Sequence, residues 1–468
     1  MGELQNKTIH FTGIGGISMS ALAFMHLDSG GNVTGSDINE KDILGELSEK
    51  GAEIWLEHSS QNIKGQDILV YSSAIPTDNV ELETARKQKI PCLSRAEFLA
   101  RMAKKQNMLA VTGTHGKTTT TALLADIFVK AKRDPSVMLG GELDIIEGNY
   151  RLGGGEYFIA EADESDGSLL NYCPYIGIIT NIEEEHLDYY DGEKEILGVM
   201  KQFIDNLEND GKMFICSDDP LSRGHLLDKD RSDGRKIITF GLNSGDYRIK
   251  RIESHGFKTE FELKDISGKN MSFTLNLPGR HNVLNAMAAL GAARSAGIDW
   301  GPIRRSLKSF SGVKRRFENK GEINGITIID DYAHHPTEIF AVFQTAISLD
   351  FSRIITVFQP HRYTRTEALW DDFVDTLSRF SNLLICDIYP ANQDPIFNIN
   401  SRRLAEEIAS ARQVQEERWV EYAGNVENAS KKLSSRVREG DLVLTLGAGD
   451  VYRCGEILLE ELSGTDEK

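Results

Sequence analysis

Cysteine is scarce and scattered. Five cysteines (Cys92, Cys173, Cys216, Cys386 and Cys454) are spread over 468 residues. No C-x-x-C pair occurs, which excludes zinc ribbons and dithiol redox motifs. The odd number excludes a fully paired disulfide framework and fits a reducing compartment. Cys216 and Cys386 end the apolar runs MFIC and LLIC, the setting of buried thiols. Long apolar runs are missing too. None approaches the roughly 18 uncharged residues of a membrane helix. The opening MGELQNKTIHF lacks a basic stretch followed by an apolar core, so no signal peptide is expected. Positive charge is in deficit. Lys plus Arg total 53 against 71 Asp plus Glu, a formal charge of −18. Such a surface repels phosphate backbones, so a nucleic-acid partner is not expected, although a local basic pocket for a small anion remains compatible. What is present is ordinary for a globular chain: 40% apolar and 26% charged residues. At roughly 150 residues per domain the length corresponds to about three domains. The expectation is a cytoplasmic, acidic, multi-domain protein.

Short apolar runs end in polar or glycine-rich clusters and alternate with helical stretches. That is the pattern of β-α-β units and parallel sheets. In a first unit, strands are expected at 7–11, 32–35 and 67–71, with helices at 19–28 and 95–105. A second unit has strands at 108–112, 157–160 and 175–180 and a helix at 117–132. Alternating strands and turns over 244–277 and an alanine-rich helix at 282–296 complete it. A third unit has strands at 326–329, 354–358, 383–386 and 442–446. The polar motifs follow the carboxyl ends of apolar strands, where open α/β sheets bind ligands.

The sharpest local signal is Gly113-Thr114-His115-Gly116-Lys117-Thr118, between a strand and a helix. Glycines allow close backbone approach to a phosphate chain, and a helix N-terminus offers unpaired N–H groups. Lys117 would reach the β- and γ-phosphates and the Thr118 hydroxyl would bind Mg2+. The loop is two residues shorter than the general G-x-x-x-x-G-K-[ST] pattern. A second glycine loop, Gly13-Ile14-Gly15-Gly16-Ile17-Ser18, follows the first strand, and Asp37 ends the next one. A dinucleotide, another phosphate-bearing ligand and a structural turn all remain open for it. EADESDGS (Glu161 to Ser168) and NIEEEHLD, with His186, sit at comparable strand ends. Charge runs are commonly solvated faces, but Thr118, Glu161 and His186 would converge if their strands are neighbours. The third unit carries KRRFE with Arg316, DDYAHHP (Asp330 to Pro336) and QPHRYTRT (Gln359 to Thr366). His361, Arg362 and Arg365 follow an apolar strand and suggest a carboxylate or phosphate pocket. Adjacent His334 and His335 lack a suitably spaced third ligand, which argues against zinc.

Taken in order, GIGGISMSALA, SSAI, TGTHGKTTTT, EADESDGS, NIEEEHLD, GRHNVLNAMAA, VKRRFE, DDYAHHPTEI, FQPHRYTRT, DIYPA and GAGD resemble the Mur ligase family of ATP-dependent amide-forming enzymes. The resemblance covers nearly the whole chain. It implies an α/β fold of three domains. These are a Rossmann-like N-terminal domain for a UDP substrate (1–105), a central P-loop ATPase-like domain with a mostly parallel sheet (106–312), and a Rossmann-like C-terminal domain (313–468). The first glycine loop would then cradle UDP phosphates through Gly13, Gly15, Gly16 and Ser18, with Asp37, Ser72 and Ser73. ATP would lie on Gly113, Thr114, His115, Gly116, Lys117, Thr118 and Thr119, with Asn282 at adenine, Asp331 at ribose and Arg316 at the γ-phosphate. Thr118, Glu161 and His186 would hold Mg2+. Tyr332, His334, His361, Arg362 and Arg365 would position the amino acid, with Lys117, His186, Arg316 and His334 as catalytic groups. The implied reaction joins L-alanine to the lactyl carboxylate of UDP-N-acetylmuramate at the expense of ATP, in peptidoglycan precursor synthesis. A tripeptide-accepting ligase of cell-wall recycling is the alternative. The implied partners are these small molecules, in a monomer or homodimer, without nucleic acid or membrane. Ser18 stands where the family often has glycine, and Glu185 where aspartate is common before His186. Lys201 lies near the position of a carbamylated lysine in several relatives, and that role is not assigned here.

Overall fold

A computed structural model of the chain describes residues 4–183, 190, 192–227, 236–412 and 418–463. Three sheets organise it. The first has five parallel strands in the order Glu53–Trp55, Asn32–Ser36, Thr8–Thr12, Ile68–Tyr71, Cys92–Ser94. Its central strand, TIHFT, is buried on both faces, so its run is apolar enough to read in sequence. The strand order reverses beside Thr8–Thr12, which opens a crevice at its carboxyl end.

The second sheet has ten strands. Its parallel centre runs Ser136–Leu143, Tyr157–Glu161, Asn107–Thr112, Ile176–Ile179, Lys212–Cys216, Lys236–Gly241. Gly148–Arg151 closes one edge antiparallel to Ser136–Leu143. Tyr247–His255, Lys258–Lys264 and Asn270–Leu275 extend the other. The helix Lys117–Lys130 is buried from Thr118 through Phe128. Nearly all-round burial explains why its sequence lacks a polar face. Its Asp126 accepts a hydrogen bond from the Ser306 hydroxyl and pairs with Lys130 at 2.9 Å. The hairpin at Gly148–Arg151 also meets the first sheet's helix Ile17–Asp28. Phe24 and Tyr150 stack at 5.5 Å, and Lys50 bonds both Asp28 (2.6 Å) and the Tyr150 hydroxyl (3.3 Å).

The third sheet has six strands in the order Glu318–Ile323, Ile326–Asp331, Asp441–Leu446, Arg353–Phe358, Asn382–Cys386, Trp419–Gly424. Only the first pair is antiparallel. The described chain divides into two compact units. One holds the first sheet and most of the second, and the other holds 254–259, 277–281 and 312–468.

The central strands and glycine-loop helices fall within two or three residues of their expected places. Several elements go beyond the sequence reading: the Ser136–Leu143/Gly148–Arg151 hairpin, the edge strands Glu318–Ile323 and Trp419–Gly424, and the helix Trp300–Ser309. The edge strands have mostly half-buried residues and carry charge, so they show no apolar run.

Candidate active site

At the first sheet's carboxyl edge the glycine loop folds against the second strand. Gly13 (φ +80°) and Ile14 both donate to the Ser36 carbonyl, at 2.8 and 3.0 Å. Gly15 N–H donates to the Asp37 carboxylate at 2.9 Å. The other Asp37 oxygen takes Asn39 N–H at 3.0 Å. Gly16 is the N-cap of Ile17–Asp28, and Ser18 lies in that helix's first turn. Ser72 accepts from Ala74 N–H at 3.3 Å beside Gly13, and Ser73 is exposed next to it. These residues gather around one helix N-terminus, a geometry suited to an anion. Asp37 thus turns its carboxylate to one N–H of the glycine loop and one of its own segment.

Beneath this edge lies a buried hub that sequence reading did not single out. Glu81 accepts from the hydroxyls of Thr12 (2.9 Å) and Ser36 (2.7 Å) and from the Asn62 side chain (2.7 Å). His10 lies at 3.2 Å and His58 at 3.5 Å. Burial alone would raise the Glu81 pKa. His10, Ser36 and Asn62 outweigh it and push the carboxyl down to about 2.

In the second sheet, the loop after Asn107–Thr112 wraps the N-terminus of Lys117–Lys130. Gly113 has φ +126° and Gly116 φ +82°. A Cβ on Gly113 would sit 2.2 Å from Thr180 Oγ1, and one on Gly116 would sit 2.5 Å from Asn285 Oδ1. Gly113→Ala is therefore expected to cost about 2 kcal/mol or more and to weaken any phosphate ligand's hold on the loop. Thermal melts with and without nucleotide check this. Thr114 N–H donates to the Asn181 carbonyl (3.1 Å) and its hydroxyl accepts Glu183 N–H (2.8 Å). His115 N–H donates to Asn181 Oδ1 at 2.8 Å, and Thr119 is buried. Lys117 Nζ donates to Gly113 O (2.8 Å), Thr114 O (3.1 Å) and Glu164 Oε1 (2.8 Å). Burial would lower the Lys117 pKa, but Glu164, Asp163 and Glu161 outweigh it and hold the ammonium charged.

Thr118 Oγ1 meets Glu161 Oε2 at 3.3 Å, and Gly140 N–H holds Glu161 Oε1 at 2.8 Å. The two were expected to converge if their strands were neighbours, and Tyr157–Glu161 does pair directly with Asn107–Thr112. A hydroxyl and a carboxylate oxygen beside a phosphate-type loop are the hard donors Mg2+ takes, so the residues present fit that ion. His186 lies outside the described residues. Asn282, 5% exposed, accepts from Asn285 Nδ2 at 3.3 Å, and Asn285 abuts Gly116. Thr180, Asn181, Asn285 and Glu164 are thus the loop's supports. Asn181, Glu164 and Asn285 lie within the motifs NIEEEHLD, EADESDGS and GRHNVLNAMAA, whereas Thr180 lies outside them.

The unit of the third sheet carries its own cluster. Arg315 bonds Asp330 (3.2 Å) and the Gly447 carbonyl (2.7 Å). Arg315 and Arg316 lie over the Tyr332 ring at 5.0 and 5.2 Å, and Arg316 approaches Glu338 at 4.0 Å. Asp331 accepts the N–H groups of Phe317 and Ala333, both at 2.7 Å. Burial pushes its carboxyl up to about 7, against the pull of Arg316 and those N–H groups. The rings of His334 and His361 are 5.8 Å apart, and His361 stacks on Tyr389 at 5.5 Å. Arg365 Nη1 is 3.4 Å from His361 Nδ1. Arg362 adopts φ +70° at the start of helix Tyr363–Ala368 and donates its N–H to the Tyr389 carbonyl at 2.9 Å. Burial, then the neighbouring His334 and arginines, push His361 down to about 3. His334 is lowered as well, mainly by burial and Arg365 against Glu338. The structure thus brings Arg316, Tyr332, His334, His361 and Arg365 together around neutral imidazoles and cationic guanidinium groups. Tyr389, the tyrosine of DIYPA, joins this cluster without having been assigned a role in the sequence.

Three segments match known domains in order. Residues 8–107 match the Mur ligase family catalytic domain, 111–293 the Mur ligase middle domain, and 315–449 the Mur ligase glutamate ligase domain. The UDP-N-acetylmuramate–L-alanine ligase of Clostridium novyi is 42% identical over 459 residues, 97% of this chain and 98% of that protein. The crystal structure of the UDP-N-acetylmuramate-alanine ligase of Thermotoga maritima superimposes with a TM-score of 0.82 at 29% identity. It covers 98% of this chain and all of that one. A murein peptide ligase from Psychrobacter arcticus shares the fold (TM-score 0.69, 24% identity, 97% and 98% covered). Matched by three such domains and by a relative along nearly its full length, the chain belongs to the Mur ligase family.

Proposed function

We propose that the chain joins L-alanine to the lactyl carboxylate of UDP-N-acetylmuramate, using ATP, as a step of peptidoglycan precursor synthesis. The observation that carries the reading is the 42% identity with the C. novyi alanine ligase along 97% of the chain. The tripeptide alternative is not favoured, since the murein peptide ligase likeness, at 24% identity, speaks for the fold alone.

A carboxylate and an amine do not condense in water at neutral pH, so the carboxylate must be activated. Its oxygen attacks the γ-phosphorus of ATP, ADP leaves, and an acyl phosphate forms. The alanine nitrogen then attacks the acyl carbon and phosphate departs. The first step brings two anions together, so charge must be neutralised. Lys117 and Arg316 are the cations assigned to this. Mg2+ held by Thr118 and Glu161 would add charge neutralisation at the phosphates, with His186 as a further ligand by family resemblance. Gly113 to Thr119 receive the phosphates, Asn282 the adenine and Asp331 the ribose. The first glycine loop, with Asp37, Ser72 and Ser73, receives the UDP diphosphate. Tyr332, His361, Arg362 and Arg365 orient the amino acid. His334 supplies a base. Its Nδ1 lies 3.0 Å from the Tyr332 carbonyl, which places the proton there and leaves Nε2 as acceptor for the ammonium proton. Among the described residues no helix is long and apolar enough to cross a membrane. A cytoplasmic site of action fits the ATP requirement.

The test is phosphate release with ATP, Mg2+ and UDP-N-acetylmuramate, with and without L-alanine, and mass detection of the product. Release that depends on alanine, with the alanyl product, is the expected result. Release with a tripeptide and none with alanine would move the chain to the recycling reaction.

A further inference from the structure

The lysine of the phosphate loop is fully engaged. An ammonium has three N–H donors, and those of Lys117 go to Gly113 O, Thr114 O and Glu164 Oε1. Two acceptors belong to the lysine's own loop. The third comes from the turn after Tyr157–Glu161, and that turn is itself tied down. Gly167 N–H and the Tyr190 hydroxyl both donate to the Glu164 carbonyl, and Ser165 N–H donates to Asp163 Oδ1 at 3.1 Å. Glu164 is 3% exposed, so its carboxylate occupies the place of an anion beside the loop.

We propose that Glu164 is a positioning residue that holds Lys117 until metal-bound nucleotide arrives, and so makes nucleotide binding depend on the divalent cation. The inference rests on the ATP-binding reading of the loop and adds a residue and a control to it. For Lys117 to reach a phosphate it must release Glu164. Removing that ammonium from a buried carboxylate is costly. Glu164 lies 2.8 Å from the Lys117 ammonium, and Asp163 and Glu161 add to the negative field that favours its charged form. A triphosphate arriving alone adds negative charge to a site already rich in it. Arriving with Mg2+, it brings the positive charge that replaces the lysine's. Metal and nucleotide are then thermodynamically coupled, and the coupling is reciprocal.

The experiment measures ATP affinity of the whole protein by calorimetry in excess EDTA and in excess Mg2+, with no sugar or amino acid present. The wild type should bind at least about tenfold tighter with Mg2+. Glu164→Gln keeps the shape and removes the charge. It should tighten metal-free binding and shrink the EDTA-to-Mg2+ affinity ratio by about tenfold. Glu164→Asp keeps the charge and should keep a ratio near that of the wild type. An unchanged ratio in Glu164→Gln overturns the proposal, including the case where both affinities fall together as for a purely structural residue. Equal wild-type affinity in both media overturns it whatever the variants do. Because no turnover is read, a failed alanine-ligase assay leaves this result standing, and the reverse also holds.

Discussion

Lys117→Ala should reduce alanine-dependent phosphate release by about 10²–10³-fold, the loss typical of removing one preorganised group from developing charge. The same change should also destabilise the protein. It leaves the Glu164 carboxylate, 3% exposed, without the ammonium 2.8 Å away. Breaking one side of such a buried pair costs about 3 kcal/mol. The two effects separate in the double variant Lys117→Ala/Glu164→Gln. Stability should return, because the isosteric amide carries no charge, while turnover should stay low. Thermal melts and initial-rate assays on the same preparations decide it. Recovery of turnover in the double variant would show that Lys117 acts by balancing Glu164, and its assigned role at the phosphates would fall.

Acid should undo the N-terminal sheet through Glu81. Its carboxyl is held at about 2 in the folded protein, below the roughly 4.3 of an unperturbed glutamate. A depressed folded-state pKa contributes stability that is fully present above the unfolded value. That stability is lost as pH falls from about 4.3 toward 2. Two or more units correspond to about 3 kcal/mol, with no discount for exposure because the side chain is 0% exposed. Denaturant titrations of wild type and Glu81→Gln from pH 7 to pH 3 should therefore converge as the pH drops. Parallel curves would mean the carboxylate charge is not what the hub uses. Glu81→Ala should cost more at pH 7, about 3 kcal/mol or above, since Thr12, Ser36 and Asn62 would lose a buried acceptor together. Ser36 also carries the carbonyl that receives Gly13 and Ile14, so affinity for the UDP substrate should weaken in the same variant.

Features that depend on neighbouring residues were legible in the sequence. A strand, G-x-x-G-K-T and a helix together define a phosphate loop, because φ > 0 at Gly113 and Gly116 and the helix N-terminus are local matters. The apolar central strands read as strands because both their faces are buried. The ordered motifs also carried the family, whose three domains match the chain in sequence.

Tertiary structure decided which distant side chains meet. Thr118 meets Glu161 because Tyr157–Glu161 pairs with Asn107–Thr112, an adjacency that the chain order of these strands does not reveal. Glu164 reaches Lys117 across 47 residues, and Glu81 reaches His10 across 71. A lone carboxylate in an acidic run or on a short helix looks solvated in sequence. Only folding removes its water, and only then must a partner replace it. The edge strands Glu318–Ile323 and Trp419–Gly424 follow the same logic in reverse. Their residues are largely half-exposed, so the hydrophobic pattern that betrays an interior strand is missing. Their place in the sheet is set by backbone hydrogen bonds to a neighbour, which any sequence can make.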